Sequence, residues 1–526
     1  MKTLRSFTKP KAMTLFWLFL SIPFALQLTG CTKKTVDSAP APMPATESIV
    51  VATELNTEEY DHIWENTFKD TVQNPLSTFS IDVDTASYSN VRRFVNINRL
   101  PPKDAVRIEE MINYFDYDYP EPLGEHPFSI YTEVGQCPWN QQNHLVHIGI
   151  QGMNLNYEDL KPANLVFLID SSGSMQNRNK LPLLKKSFKL LLNELGENDR
   201  IAIVAYAGSA GLVLPSTPAT QKEHIISALD SLRAGGSTAG GVGIQLAYEV
   251  AGQNLIRNGN NRVILATDGD FNIGVSSTSD LVRLIEEKRR DGIYLTILGF
   301  GMGNYKDGRM EQISNAGNGN YFYIDNIREA EKVFVREMRA NMFTIAGDVK
   351  IQVEFNPLKI IAWRLIGYEN RVLAKEDFDD DTKDAGELGA GHTVTALYEI
   401  VPPSAGVPVP DATPLKYQET RVKSEVDKSD EMMTIKFRYK PIGKDTSQMI
   451  EKVVFDETIP LEKTSDNYRF SASVAGFGML LRDSKFKENL TYSDVMKWAK
   501  RAKGKDENGD RAEFIRMVKT CELLAK

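Results

Sequence analysis

The sequence predicts a multi-domain protein of the α/β plus β class. One domain has a mostly parallel sheet with helices on both faces. It is inserted in or flanked by an antiparallel β domain, with a small N-terminal unit and a helical C-terminus. Two observations carry this prediction. From about 160 to 343, short apolar runs alternate with segments of helical spacing, which implies a parallel sheet covered on both sides. From 345 to 471, strand-like pieces recur between turn-rich segments, the pattern of antiparallel pairing. A chain of 526 residues has room for several domains.

Residues 1–30 carry Lys2, Arg5, Lys9 and Lys11 and no acid, and an apolar stretch broken by Pro23 runs from Met13 to Leu28. This is the pattern of a secretory signal peptide. Its end, Leu28-Thr29-Gly30-Cys31, resembles a bacterial lipobox. The resemblance implies lipidation of Cys31, which would anchor the mature chain to a membrane of the bacterial cell envelope. Thr32 follows where an Asp would suggest inner-membrane retention, so the outer membrane is expected if the cell is Gram-negative. No other run approaches the ~20 apolar residues needed to cross a bilayer. Losing the four leader cations takes the formal net charge from −8 to −12. Such acidity argues against nucleic acid as a partner. Cys137 and Cys521 are the other cysteines. An oxidising envelope would permit their pairing, with two unpaired thiols the stronger expectation.

Residues 31–56, rich in Ala, Pro, Ser, Thr and Glu, cannot build a core and read as a flexible tether. Residues 57–125 read as a small unit of their own. In it, Val106, Ile108, Met111, Ile112 and Phe115 have helical spacing, with Asp104 at the capping position. Asp82 and Asp84 read as polar residues on a strand edge rather than a metal pair. Residues 126–157 hold two strand-like runs, expected to pair with strands of 345–471. His144 and His147 lie on the second run and read as sheet positions, because no third metal ligand is visible nearby.

The α/β domain spans 158–343. Strands are expected at 164–170, 201–206, 263–267, 294–300 and 320–324. Helices are expected at 180–195, 222–233, 241–256, 278–290 and 327–341. The β domain spans 344–471, and its acidic stretch 376–381 reads as a solvated loop. The last region, 472–526, reads as helical, with Asp510 as the cap of the final helix and Glu513 three residues on.

One constellation carries chemistry. The run 164–170 ends in Asp170, and Ser172 and Ser174 follow on a Gly-containing turn. A second apolar run, 263–267, leads into Asp268. Between them, Gly-Gly-Ser-Thr-Ala-Gly-Gly (235–241) precedes a helical stretch. Of its adjacent hydroxyls, Ser237 and Thr238, Thr238 has the better spacing to the following helix. Acids and hydroxyls just past the C-terminal ends of parallel strands sit where such sheets place ligands. Oxygen-only donors suit hard cations.

This set resembles the metal-ion-dependent adhesion site of von Willebrand factor type A domains, which have a Rossmann-like fold. The flanking regions resemble the N- and C-terminal extensions of a family of bacterial lipoproteins that carry such a domain. The resemblance implies that Asp170, Ser172, Ser174, Thr238 and Asp268 surround one divalent ion, Mg²⁺ or else Mn²⁺ or Ca²⁺. One coordination position would stay open for an Asp or Glu of a protein partner. Loops around Gly208–Leu212, Phe271–Thr278 and Met302–Asp307 would select that partner. The expected function is therefore metal-dependent protein binding, not enzymatic, because no nucleophile–base pair is legible. An envelope scaffold with a purely structural metal, and a metal-assisted hydrolase, are the alternatives.

Overall fold

The apolar run that ends in Asp170 forms β5 (Ala163–Asp170), buried along its whole length, in a six-stranded sheet. The structure is a computed structural model. It describes residues 57–82, 84–156, 161–236, 240–269, 278–383, 385–406, 416, 429–444 and 446–526. The leader, the tether, Cys31, Thr238 and the loop 270–277 lie outside the described residues. The strand order is β10 (Tyr321–Ile324), β9 (Ile293–Phe300), β8 (Asn260–Thr267), β5, β6 (Arg200–Tyr206) and β7 (Ala210–Pro218). The first five run parallel, and β7 returns antiparallel on the edge.

Alternation along β5 divides the core. Leu165, Phe167 and Ile169 pack with α3 (Leu181–Glu194), α4 (Lys222–Ser231) and α8 (Ile327–Glu331). Val166 and Leu168 face α5 (Gly240–Gln253), α6 (Thr278–Arg290) and α7 (Asp307–Ala316). Three features differ from the sequence expectation. The region 210–218 is an edge strand, not a loop; its residues are mostly exposed or half-exposed, and its one apolar run, Leu212–Leu214, is short. Helix α7 buries few apolar residues, chiefly Met310 and Ile313, which left it without a legible helical stripe. The helix expected over 327–341 is divided into α8, a π-helical turn at Lys332–Arg336, and α9 (Met338–Met342).

The remaining strands form two antiparallel sheets. One runs β1 (Lys69–Asp70), β12 (Ala362–Ile366), β15 (Thr393–Val401), β4 (His144–Gly152) and β3 (Phe128–Gln136). The other runs β13 (Val372–Leu373), β2 (Leu76–Ser80), β11 (Thr344–Phe355), β16 (Glu431–Pro441) and β17 (Gln448–Phe455), with β14 (Gly386–Gly389) also on β11. Phe79, Phe128, Ile148, Val353, Trp363 and Phe437 share one core, so the two sheets form a sandwich. Strand β4 pairs with β15 from Gln151–Thr393 to His144–Ile400. The α/β domain is thus inserted between β4 and β11. The outer face of the five-stranded sheet is covered by α1 (Ala86–Asn96), α2 (Ile108–Asn113), α10 (Asp466–Arg482), α11 (Tyr492–Arg501) and α12 (Asp510–Leu524).

Residues 57–125 are therefore not a unit of their own. They supply β1 and β2 to different sheets and α1 and α2 to the helical layer. Strands this short cannot bury a core alone. The expected caps also moved. Helix α2 starts only at Ile108, because Arg107 is extended, and Asp104 instead accepts from the Ile63 N–H and pairs with His62. At α12, Gly509 takes a left-handed turn, and Asp506 accepts the N–H groups of Arg511 and Ala512. Asp510 is drawn to Arg336, 2.7 Å away. Cys137 and Cys521 are both free and buried.

Buried ion pairs fasten the inserted domain. Arg107 Nη1 lies 2.6 Å from Asp307 Oδ2, and its Nη2 lies 2.8 Å from Glu311 Oε2. Arg371 reaches the other Glu311 oxygen at 3.1 Å and also pairs with Asp82 and Asp84. Glu110 joins the group through Arg107, and its carboxylate accepts the Ser87 N–H. Burial, with carboxylates crowding one another, holds Asp84 and Glu110 well above the usual carboxylate range. A second knot surrounds Arg92, which bonds Asp325, Glu329 and Glu513 and so ties α1, the region around α8, and α12 together.

His147 is held neutral between sheet and helix. Its Nε2 bonds the Tyr119 hydroxyl at 2.6 Å and its Nδ1 bonds Ser471 Oγ at 3.0 Å. Burial pushes its pKa down to about 3. The unfolded chain takes up a proton below the ordinary histidine pKa and the folded one does not, so stability must fall as pH drops from about 6.5 toward 3. Near pH 4.5 this single group should cost about 2–3 kcal/mol. Urea denaturation of His147→Gln should show a correspondingly flatter decline between pH 6.5 and 4.5. An unchanged slope would assign the acid sensitivity elsewhere.

Candidate metal-binding site

At the C-terminal edge of the parallel sheet, β5 delivers Asp170 and β8 delivers Asp268, and both are fully buried. Asp170 Oδ1 accepts the Ser172 N–H at 2.8 Å, and Oδ2 accepts the Thr267 hydroxyl at 3.3 Å. These bonds fold the chain back after β5 and bring Ser172 Oγ to 2.9 Å from Ser174 Oγ. Ser172 is buried and Ser174 is exposed, so the hydroxyl pair spans the rim of the site. Thr238 lies outside the described residues, but the chain leading to it is docked here. Gly235 N–H donates to Ser171 O at 2.8 Å, and Gly173 N–H to Gly236 O at 3.1 Å.

Asp268 has two partners that the sequence reading did not single out. Lys180 Nζ lies 2.9 Å from Oδ2, both groups being buried, and Asn304 Nδ2 donates to Oδ1 at 3.3 Å. Lys180 stands immediately before α3, and its stem crosses Gly301 so closely that any Cβ there would collide with it. Gly301 and Gly269 both have positive φ, 77° and 103°. A Cβ on Gly269 would lie 2.6 Å from Tyr305 Cα. A Lys before an amphipathic helix and an Asn in a Gly-rich loop after a buried strand are the signals these residues left.

The loop 301–307 is itself covered. Glu59 forms a parallel bridge with Lys306, Thr57 N–H donates to Gly303 O, and Gly303 N–H donates to the Glu58 carboxylate at 2.8 Å. Arg93 holds that carboxylate from behind at 2.6 Å. The edge of 302–307 expected to meet a partner is thus largely taken by residues 57–59.

The donor set fits a hard cation. Among the described residues no three His, Cys, Asp or Glu side chains form a metal cage, so a metal here depends on the serine hydroxyls. Burial, with the nearby Asp268 charge adding and the Ser172 bonds opposing, raises Asp170 to about 6. A buried carboxylate with no cation paired to it among the described residues is one that a bound metal would stabilise.

The parallel sheet and this edge define a protein of the von Willebrand factor type A class. Residues 164–336 match the family described as von Willebrand factor type A domain. Residues 54–147 match one described as von Willebrand factor, and residues 340–524 one described as "Uncharacterized protein YfbK, C-terminal". Over 477 residues, 89% of this chain and 81% of the other, the sequence is 42% identical to the protein YfbK of Escherichia coli (strain K12), and the chain belongs to that bacterial type A family. YwmC of Bacillus subtilis (strain 168) is 27% identical over 34% of this chain and 83% of that one. A von Willebrand factor type A structure from Catenulispora acidiphila superposes with TM-score 0.40 at 15% identity, covering 74% of this chain and 89% of that chain. Proximal thread matrix protein 1 of the mussel byssus, its MIDAS motif occupied by zinc, gives TM-score 0.29 at 21% identity, covering 36% and 48%.

Lys180→Met should separate the internal cation from a bound one. Without Lys180, Asp268 loses its buried ion pair, which costs about 3–5 kcal/mol. Thermal unfolding should show the variant less stable than the parent in chelator. Added Mg²⁺ or Mn²⁺ should stabilise the variant more than the parent. Equal metal responses would show that Lys180 and the metal do not share Asp268.

Proposed function

We propose that this protein binds a protein partner through a divalent cation, Mg²⁺ or else Mn²⁺ or Ca²⁺, at the C-terminal edge of its type A sheet. Asp170, Ser172, Ser174, Thr238 and Asp268 would hold the ion. When bound, the ion supplies an electrophilic position for an Asp or Glu carboxylate of the partner. The observation that carries this reading is that Asp170, the 2.9 Å Ser172–Ser174 hydroxyl pair and Asp268 lie at the C-terminal ends of two adjacent parallel strands.

The reading is one of binding and not of catalysis. Among the described residues, the groups around the site are carboxylates, hydroxyls, an amide and an ammonium held in an ion pair. None of these makes a nucleophile–base pair. The acidic net charge of −8 argues against nucleic acid. Among the described residues no helix is long and apolar enough to cross a membrane. Lipid on Cys31 would hold the protein to the bacterial envelope, on the outer membrane in a Gram-negative cell.

Calorimetry on the mature chain tests the metal. Asp170→Ala and Ser172→Ala should abolish Mg²⁺ and Mn²⁺ binding. Thr238→Ala and Asp268→Asn should weaken it about tenfold or more, each removing one oxygen donor or one charge. Far-UV circular dichroism should be unchanged, because Asp170, Ser172 and Asp268 lie at or just past strand ends. Capture of the partner from membrane extracts should fail in the same variants and in chelator. Capture that persists with all metal removed overturns the reading.

The anchor is tested separately. Cys31→Ser should lose incorporation of labelled fatty acid. Equal label in variant and parent would remove the lipid from the proposal.

A further inference from the structure

Buried arginines in this protein are paired with carboxylates. Arg92, Arg93, Arg107, Arg364, Arg371 and Arg482 each have one within salt-bridge reach. Arg262 is the exception. It lies on β8, 3% exposed, and among the described residues no carboxylate comes within 4.0 Å of its guanidinium. Its Nη1 donates to Thr296 Oγ1 at 2.7 Å, and the group lies 5.6 Å from the centre of the Tyr294 ring. Its Nε has no acceptor among the described residues. A guanidinium taken out of water without an anion is an expensive arrangement.

Arg262 lines a cavity of about 220 Å³ at the seam between the inserted domain and the sandwich. The inserted domain contributes Arg262 and the polar turn Asn315–Asn320. The sandwich contributes Ser80, Arg371 and the β14 backbone. Asn315 Oδ1 is buried and has no partner among the described residues. Two carboxylates share the wall. Asp82 is paired with Arg371, and Glu387 accepts from Asn318 Nδ2 at 2.9 Å. The cavity is far from the metal site. Arg262 precedes Asp268 by six residues on one strand, about 20 Å at ~3.3 Å per residue.

We propose that this cavity is a binding site for a small oxyanion, a carboxylate or phosphate monoester that also bears hydroxyl groups. The oxyanion would take the Arg262 fork, for which planar guanidinium geometry is suited. The hydroxyls would meet Asn315, Asp82 and Glu387, which exclude a second negative group from that side. A ligand so placed touches both bodies and joins the inserted domain to the sandwich. Burial draws the Arg262 pKa down to about 10, and the Tyr294 ring and the Glu387 charge across the cavity offset only part of that.

Calorimetry and thermal unfolding of the full chain test the site with inorganic phosphate, glycerol 3-phosphate and gluconate, against chloride at equal ionic strength. Saturable binding of at least one oxyanion, with a raised unfolding temperature, is expected. Arg262→Gln should lower its affinity about tenfold or more, the scale of a lost charge-assisted bond. Glu387→Gln should raise it, because a competing negative charge is removed. Asn315→Ala should weaken binding of the hydroxylated probes more than of phosphate. These two wall variants carry the test if Arg262→Gln does not fold. Equal responses to the oxyanions and to chloride would overturn the proposal. So would a Glu387→Gln variant that is destabilised and binds no oxyanion, which would make Glu387 the internal partner of Arg262.

Discussion

Arg107 and Arg371 meet on Glu311, and through that carboxylate the inserted domain is held to the layers around it. Arg107 belongs to the N-terminal segment, Glu311 to α7 of the inserted domain, and Arg371 to the sandwich. Burying any of these groups without its partners would be costly, since an unpaired interior charge costs several kcal/mol, about 3–5 when one partner is removed. Together they make the relative placement of three chain segments a condition for burying any of them. The Arg92 cluster repeats the device on the side facing the C-terminal helices.

The same fixing reaches the candidate metal site. Helix α7 begins at Asp307, a partner of Arg107, and the loop just before it carries Asn304 to Asp268. Residues 57–59 lie along that loop, and Glu58 is gripped by Arg93 of α1. Asp268 is thus positioned from outside the type A domain as well as from within it. Among the described residues Asp170 bonds hydroxyl and amide donors, whereas Asp268 has the ammonium of Lys180. The two acids of the site therefore differ in how much they gain from an added cation.

Much of this was legible because strong patterns coincide with burial. The parallel strands are continuous apolar runs, and Asp170 and Asp268 end two of them, so strand edge and acid were readable together. What escaped was set by distant partners. Strand β7 has too few buried residues to announce itself, and α7 is held more by Asp307 and Glu311 than by apolar contacts. Asp104 and Asp510 have the residue type of a cap, but Ile63, His62 and Arg336 claim their carboxylates. Lys180 and Asn304 matter only through Asp268, which lies far from either in sequence. Residues 57–125 look autonomous in sequence for the same reason, since the sheets their strands complete come later in the chain.

The insertion also decides the order in which the chain can fold. Strands β4 and β15 are neighbours in the sheet, yet the whole α/β domain lies between them in sequence. Closing a long loop costs little at equilibrium, about 0.6 kcal/mol for each doubling of its length. In kinetics the separation matters more, because pairing between distant segments is slow. The α/β domain has its neighbouring parallel strands and helices close in sequence and can collapse first, which shortens the loop the sandwich must close. Until β11 and β15 emerge, β2, β3 and β4 remain strands with unsatisfied edges, the state in which β chains are most prone to aggregate. A chaperone that shields those first strands would act in the interval set by the length of the inserted domain.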